Sequence, residues 1–142
     1  MFKHVCEFRV EWGETDTAGI IFYPNYYRWF DRATHELFRA AGMPIRDLST
    51  HHHFGQPIID SGCRFLAPLY YDDLVTLETV VTEVRSRTFR LEHTVKRGET
   101  VTGTGFEVRA WIALHQQSED NRLVPVAIPE EYAARLRGEF IV

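Results

Sequence analysis

The sequence predicts an α+β fold in which one long helix packs against a curled antiparallel sheet of five to six strands. Apolar residues recur at helical spacing over one long stretch, which runs from Pro24 to the stop at Gly42. Segments with alternating apolar and polar residues follow it, and short turns join them, which favours antiparallel neighbours. The order of strand, long helix and then four or five strands is that of an α+β layer structure.

Length and composition limit the class of protein. The 142 residues fit one domain spanning 1–142, and 44% apolar residues are enough for a buried core. The net charge of -4, with both signs interspersed, argues against a nucleic-acid-binding protein. The first ten residues alternate like a strand rather than a signal peptide, and no apolar run reaches membrane-spanning length. We therefore expect a cytoplasmic protein without a membrane segment.

Cys6 and Cys63 are too few for a disulfide framework and are expected to be buried thiols.

The first elements are a strand, a loop and the long helix. Residues 4–12 alternate, with Cys6, Phe8, Val10 and Trp12 expected on one face. Residues 13–19 are small and polar and are expected to form a loop. Pro24 suits the first turn of a helix, and Gly42 suits its end.

The second half is expected to be mostly strand. After a connection over 43–55 that includes one helical turn, four strands are predicted, at 56–67, 74–84, 88–97 and 101–114. Gly103 and Gly105 in the last of these indicate a bulge or a close backbone approach. A polar turn at 115–122, a short strand at 123–128 and a helix between Pro129 and Gly138 complete the chain.

Asp16 is the main candidate for chemistry. It lies among small residues a few positions before the helix, so a ligand can approach it. Tyr23 is at the helix start, where backbone N–H groups lack helical partners and the helix dipole favours negative charge. A carboxylate facing such donors can attack a carbonyl or activate water, which are the requirements of acyl transfer. The alternative is that Asp16 serves only as a turn or capping residue.

Three other groups are candidates for a binding or a structural role. The tract Arg85-Ser86-Arg87 joins two strands and is either a solvated hairpin tip or a phosphate-binding clamp. The run 51–53 is three histidines, but consecutive residues point in different directions and no cluster with zinc-like spacing accompanies them. We therefore expect no metal site and leave the role of His51, His52 and His53 open. Asp31 is either a buried hydrogen-bonding residue near the site or the partner of His35 at i+4.

The motifs resemble those of one enzyme family. The run DTAGIIFYPNYYRWFD at 16–31 resembles the signature of the hotdog-fold acyl-CoA thioesterases, within them the 4-hydroxybenzoyl-CoA thioesterase group. The resemblance continues through GQPIIDSGCRF at 55–65, YDDLVTLE at 71–78 and RSRTFRLEH at 85–93, and so covers most of the chain.

The resemblance implies a fold, an activity and site residues. It implies a hotdog fold, a long helix wrapped by an antiparallel sheet, in a homodimer or homotetramer with active sites at the subunit interface. It implies hydrolysis of an acyl-CoA without a cofactor, with Asp16 as nucleophile or base and the Tyr23 backbone N–H polarising the thioester carbonyl. Arg85 and Arg87 match positions that contact CoA phosphates, and Ser86 replaces a basic residue between them.

Pro24 after Tyr23 favours the aromatic-acyl group over the short-chain acyl-CoA thioesterases, which carry histidine and alanine after the tyrosine. The predicted substrate is therefore a benzoyl- or hydroxybenzoyl-like CoA ester. The alternatives are a short-chain aliphatic acyl-CoA and a non-catalytic acyl-CoA binding protein on the same fold. Dehydration of a hydroxyacyl thioester does not match, because that branch uses a histidine with an acidic partner on the helix.

Overall fold

The long helix organises the computed structural model, which describes residues 1–117 and 123–139. Helix α1, Pro24–Ala40, has 17 residues and is about 26 Å long at 1.5 Å per residue. Pro24 occupies the first turn, and Gly42 follows the helix with a φ of 75°, a conformation that glycine adopts without strain. One face of α1 is buried against the sheet. None of the described helices is both long and apolar enough to span a membrane.

The main sheet has five antiparallel strands. In chain order the first three strands are β1, Lys3–Arg9; β2, Phe54–Gly55; and β3, Ile58–Phe65. The next three are β4, Leu74–Val84; β5, Thr88–Arg97; and β6, Thr100–Ala110. Five of these form the main sheet in the order β1-β4-β5-β6-β3, so β1 and β3 are its edge strands. The predicted hairpins of β4 with β5 and of β5 with β6 are confirmed.

A second, smaller sheet accounts for the other strands. It is built from β2, β7 (Ile112–Gln117) and β8 (Leu123–Pro125), in the order β2-β7-β8. The predicted strand over 101–114 is therefore two strands, because the chain passes from one sheet to the other at Trp111. That side chain is fully buried and stacks on Tyr132 with ring centroids 5.5 Å apart. Helices α2, Ile45–Thr50, and α3, Glu130–Leu136, complete the fold. Part of the predicted turn at 115–122 lies outside the described residues.

The core lies between α1 and the main sheet, in two clusters. One surrounds the start of the helix and includes Tyr26, Phe30 and Leu77, and the other surrounds its end. Gly103 and Gly105 allow helix α1 to approach strand β6 closely, because a Cβ at Gly103 would lie 2.6 Å from the Tyr26 ring. Both predicted features are present: helix residues pack closely on Gly103 and Gly105, and β6 has a register shift beside Gly103, which pairs with Val95 while Val101 pairs with Lys96.

The prediction that Trp12 faces the core is wrong. Strand β1 ends at Arg9, and Trp12 opens a short 3-10 helix, Trp12–Glu14, so its side chain leaves the alternating pattern. Trp12 is 75% exposed and touches the Tyr71 ring edge-on at 5.3 Å. The side chain thus adds to an exposed aromatic surface around the loop that follows.

Candidate active site

Asp16 lies at the tip of the loop that precedes α1. Its N–H donates to the carbonyl of Ile20 at 2.9 Å, and its own carbonyl accepts from Gly19 at 3.0 Å, which closes a tight turn. Its Oδ1 accepts the N–H of Ala18 at 2.8 Å. Oδ2 has no hydrogen-bond partner among the described residues, and the side chain is exposed. The turn therefore fixes the carboxylate through one oxygen and leaves the other available to a ligand.

The backbone N–H of Tyr23 is a free donor at the positive end of α1. Tyr23 directly precedes the helix and already has helical angles, with φ of -52° and ψ of -35°. Its N–H therefore points in the same direction as the unpaired donors of the first turn. No acceptor for it lies among the described residues, and Pro24 next to it has no N–H. This is a suitable site for a developing oxyanion.

An apolar cavity of about 330 Å³ opens beside Tyr23. Phe65, from the end of β3, contacts the rings of Tyr23 and Tyr26 at centroid distances of 6.3 and 5.1 Å. The other lining residues are apolar as well: Ile20, Ile21, Leu66, Ala67 and Pro68. The cavity can accept an apolar or aromatic group next to the free donor.

The two cysteines do not offer a competing nucleophile. Burial raises the pKa of the Cys63 thiol to about 11, and burial also raises the pKa of Cys6. Both side chains are free thiols. Because the thiolate is the nucleophilic form, the raised pKa values make both thiols weaker nucleophiles near neutral pH than an exposed cysteine.

The tract Arg85-Ser86-Arg87 forms the exposed turn between β4 and β5. The Arg85 guanidinium pairs with Glu83. The carbonyls of Ser86 and Arg87 accept backbone N–H groups of Ile128 and Trp111 at 2.7 and 2.8 Å, which fixes the turn. The Arg87 side chain projects to solvent without an ion-pair partner among the described residues.

The structure does not bring this tract to Asp16 within one chain. Val10, just before the Asp16 loop, is hydrogen-bonded to Asp73, which precedes β4. The arginine turn follows the other end of β4. Eleven strand residues separate the two ends, which is about 33 Å at 3.3 Å per residue.

A buried polar network lies between α1 and the main sheet, and the sequence patterns did not predict it. Glu107 on β6 accepts from His93 at 2.5 Å, from Thr34 at 2.8 Å and from the Nε of Arg109 at 2.8 Å. Arg109 also donates to Asp31 on α1 at 2.8 Å. His93, Glu107 and Arg109 were detectable as polar residues at inward positions of alternating strands.

The network perturbs both of its carboxylates. Burial by itself would raise the pKa of Glu107, but the hydrogen bond from His93 and the charge of Arg109 outweigh it and lower the pKa. The pKa of Asp31 is held well below its usual range by hydrogen bonds from His35 and Arg109. The predicted i+4 pairing with His35 is confirmed at 3.6 Å. The prediction that Asp31 is buried is wrong, because its side chain is 52% exposed although it accepts a hydrogen bond from the buried Arg109.

The three histidines do not converge. His51 lies 3.7 Å from Asp47, His52 touches the Tyr132 ring, and His53 is hydrogen-bonded to His115 at 2.9 Å. Within residues 1–117 and 123–139, no group of three or more His, Cys, Asp or Glu side chains is close enough to hold a metal ion.

Comparisons with known proteins place the chain in a family. The sequence model of the thioesterase-like superfamily matches residues 10–136. A 4-hydroxybenzoyl-CoA thioesterase of Pseudomonas sp. strain CBS-3 is 32% identical over 127 residues, which cover 87% of this chain and 90% of that protein.

Solved structures agree with this assignment. A gentisyl-coenzyme A thioesterase superposes with a TM-score of 0.83 and 34% identity, covering 94% of this chain and 99% of the other. A mutant 4-hydroxybenzoyl-CoA thioesterase in complex with 4-hydroxybenzoyl-CoA superposes with a TM-score of 0.85 and 28% identity, covering 96% and 99%. The hotdog fold and the resemblance to acyl-CoA thioesterases are thereby confirmed. The chain belongs to the thioesterase-like superfamily and is a thioester hydrolase of the acyl-CoA thioesterase family.

Proposed function

We propose that the protein hydrolyses an aromatic acyl-CoA, of the benzoyl or hydroxybenzoyl type, to the free acid and CoA. The observation that carries the proposal is the unpaired N–H of Tyr23 beside an apolar cavity, preceded in the same loop by the Asp16 carboxylate, one oxygen of which is available. A binding protein needs the cavity but has no use for a carboxylate with an available oxygen at a helix N-terminus.

Tyr23 and Asp16 have separate roles in the proposed reaction. The Tyr23 N–H and the α1 dipole bind the thioester oxygen and stabilise the negative charge that develops on it. Oδ2 of Asp16 then either attacks the carbonyl carbon, or takes a proton from a water that attacks it. In both routes the C–S bond breaks and CoA leaves as the thiolate. In the first route water then hydrolyses the mixed anhydride on Asp16.

Two features support an aromatic acyl group over a short aliphatic one. The cavity beside Tyr23 is lined by the rings of Tyr23, Tyr26 and Phe65, which favours edge-on contact with another ring. The relatives at 32% and 34% identity are named for 4-hydroxybenzoyl-CoA and gentisyl-CoA.

A second subunit completes the proposed site. The arginine turn that would bind CoA phosphates is about 33 Å along β4 from the Asp16 loop, so a partner's turn is a better candidate for the same substrate. Strand β3 is a free edge of the sheet, and Ile58, Ile59 and Phe65 on it are 45–58% exposed. An eight-residue edge strand with exposed apolar side chains favours pairing with another chain. We therefore propose a homodimer, or a homotetramer of two such dimers.

Arg85, Ser86 and Arg87 are proposed to bind the CoA phosphates. The Arg87 guanidinium is exposed and can bind phosphate in a bidentate manner. Ser86 offers a hydroxyl donor between the two arginines. Arg85 would exchange its contact with Glu83 for a phosphate.

A panel of CoA esters tests the activity and the acyl group together. Release of free thiol is measured with benzoyl-, hydroxybenzoyl-, phenylacetyl- and short aliphatic CoA esters. We expect the highest kcat/KM for the benzoyl or hydroxybenzoyl ester. Faster hydrolysis of the aliphatic esters would refute the aromatic assignment, and binding of several esters with no thiol release would favour a non-catalytic binding protein.

Mixing the inactive Asp16→Asn variant with Arg87→Ala, in which CoA binding is weakened, tests whether the site spans two chains. If Asp16 of one protomer works with the partner's arginine turn, a heterodimer of Asp16→Asn and Arg87→Ala protomers contains one intact site. Statistical exchange should then restore about a quarter of the wild-type sites, measured at low substrate concentration. No recovery in a mixture shown to exchange protomers would refute the shared site.

A further inference from the structure

Glu14 connects the Asp16 turn to helix α1 by three hydrogen bonds. Its Oε2 accepts the indole N–H of Trp29 at 2.8 Å. Its carbonyl accepts the backbone N–H of Phe22 at 2.8 Å and the side-chain amide of Asn25 at 2.9 Å. All three donors belong to the start of α1 or to the residues immediately before it. Glu14 is therefore the residue through which the loop is held on the helix.

The Glu14 carboxylate is engaged at both oxygens. Oε1 accepts the backbone N–H of Glu11 at 2.7 Å, while Oε2 is bonded to Trp29. Trp29 is 2% exposed and Asn25 is 6% exposed, so both anchors on the helix are fixed by packing. Glu14 thus acts as a hydrogen-bond acceptor in a rigid setting and has no arrangement for proton transfer.

The loop between Glu14 and Phe22 is closed at its base and at its tip. The Phe22 N–H to Glu14 carbonyl bond closes the base, and Thr15 pairs with Ile21 just inside it. Asp16 bonded to Ile20 forms the tip. A shift at Glu14 is consequently transmitted to the Asp16 carboxylate two residues away.

We propose that Glu14 is a positioning residue that sets the geometry between the Asp16 carboxylate and the Tyr23 N–H. This rests on the proposed function, in which those two groups act on the same thioester. A misplacement of about 1 Å in a reacting group can lower the rate by about 100-fold. Neither Glu14 nor its hydrogen-bond partners belong to the phosphate-binding turn at 85–87, so the contribution of that turn to binding should be unchanged.

The test is the kinetics of Glu14→Ala, with Glu99→Ala as the matched control. Glu99 is exposed in the turn between β5 and β6. With the best CoA ester, and at a temperature where circular dichroism shows each variant fully folded, we expect Glu14→Ala to lower kcat about 10- to 100-fold. KM should stay within about twofold, because binding contacts are unchanged. A purely structural role would instead lower the unfolding temperature and leave the kcat of the folded enzyme unchanged.

Trp29→Phe is the second variant and serves if Glu14→Ala does not fold. It removes the N–H donor together with part of the buried indole ring, and keeps a six-membered ring for the contact with Phe8 at 5.0 Å. We expect a smaller loss of kcat in the same direction, and no further loss when it is added to Glu14→Ala, since both remove one interaction. Unchanged kcat in both single variants, multiplicative losses in the double variant, or a loss confined to KM would overturn the proposal.

The wild type is assayed first, together with Asp16→Asn. If the wild type hydrolyses no CoA ester, the proposed function fails and the role of Glu14 fails with it. If the wild type is active and Asp16→Asn is not, while Glu14→Ala retains its kcat within about twofold, only the role of Glu14 is overturned.

Discussion

Replacing Glu107 by leucine should strongly destabilise the protein. Glu107 is 1% exposed and accepts hydrogen bonds from His93, Thr34 and Arg109. Leucine has a similar volume but no acceptor. The substitution would therefore leave buried donors without partners and would remove one counter-charge of a guanidinium that is itself 5% exposed.

The expected loss follows from these contacts. Each buried donor that loses its acceptor costs about 1–3 kcal/mol, and breaking a buried ion pair costs about 3–5 kcal/mol. Arg109 keeps Asp31, at 2.8 Å, as a half-exposed counter-charge, and this moderates the loss. We therefore expect the free energy of unfolding to fall by about 3–5 kcal/mol, which corresponds to a melting temperature lower by roughly 10–17 °C.

Urea denaturation at fixed protomer concentration measures this loss, because unfolding of an oligomer depends on concentration. The control is Glu78→Leu on β4, where the partner Lys96 lies 3.7 Å away at the surface and the change should cost less than about 1 kcal/mol. The double variant Glu107→Leu, Arg109→Leu should be more stable than Glu107→Leu alone, since it removes a buried guanidinium that has lost its buried counter-charge. A loss under about 1 kcal/mol for Glu107→Leu, or a double variant less stable than the single one, would refute the reasoning.

Three further predictions concern packing, pH and substrate binding. Gly105→Ala should lower the free energy of unfolding by about 1–3 kcal/mol, because its Cβ would collide with Phe30, whereas Gly13→Ala, with no atom within 4 Å of its Cβ, should not. Folding lowers the pKa of Glu107, so the stabilisation by its carboxylate is present above the unfolded pKa near 4.5 and is lost as the pH falls. Urea titrations should therefore show that the free energy of unfolding of the wild type falls more steeply between about pH 5 and pH 3 than that of Glu107→Leu. Equal slopes would contradict this. Arg87→Ala should raise KM about five- to tenfold with kcat within twofold, as for a contact equally strong in ground and transition states; a loss confined to kcat would argue against the phosphate role.

The local pattern of apolar and polar residues was sufficient to predict the elements that pack on one face. The α1 helix was predictable because Pro24 and Gly42 bound a stretch with helical apolar spacing. Strand β5 was predictable because its inward residues alternate without interruption, and all four of Phe89, Leu91, His93 and Val95 are buried. Asp16 and Tyr23 were identified as candidates because both lie just before the start of the same helix.

Features that depend on distant parts of the chain were not predictable. Trp111 ends β6 because its ring packs on Tyr132 from α3, which no local pattern encodes. The ion-pair network joins Asp31 to Arg109, 78 positions apart. The separation of the Asp16 loop from the arginine turn required the register of β4, which the sequence alone does not give.

Turnover by Asp16→Asn is the most direct test of Asp16 as the catalytic carboxylate. Asparagine keeps the side-chain oxygen that accepts from Ala18 but removes the carboxylate charge. We expect Asp16→Asn to lose nearly all thiol release with CoA affinity unchanged, while Asp47→Asn, on α2, retains wild-type activity. Single-turnover hydrolysis by the wild type in ¹⁸O-labelled water then separates the two routes, since label in Asp16 indicates direct attack. An Asp16→Asn variant that retains most of the wild-type kcat would contradict the assignment of the active site.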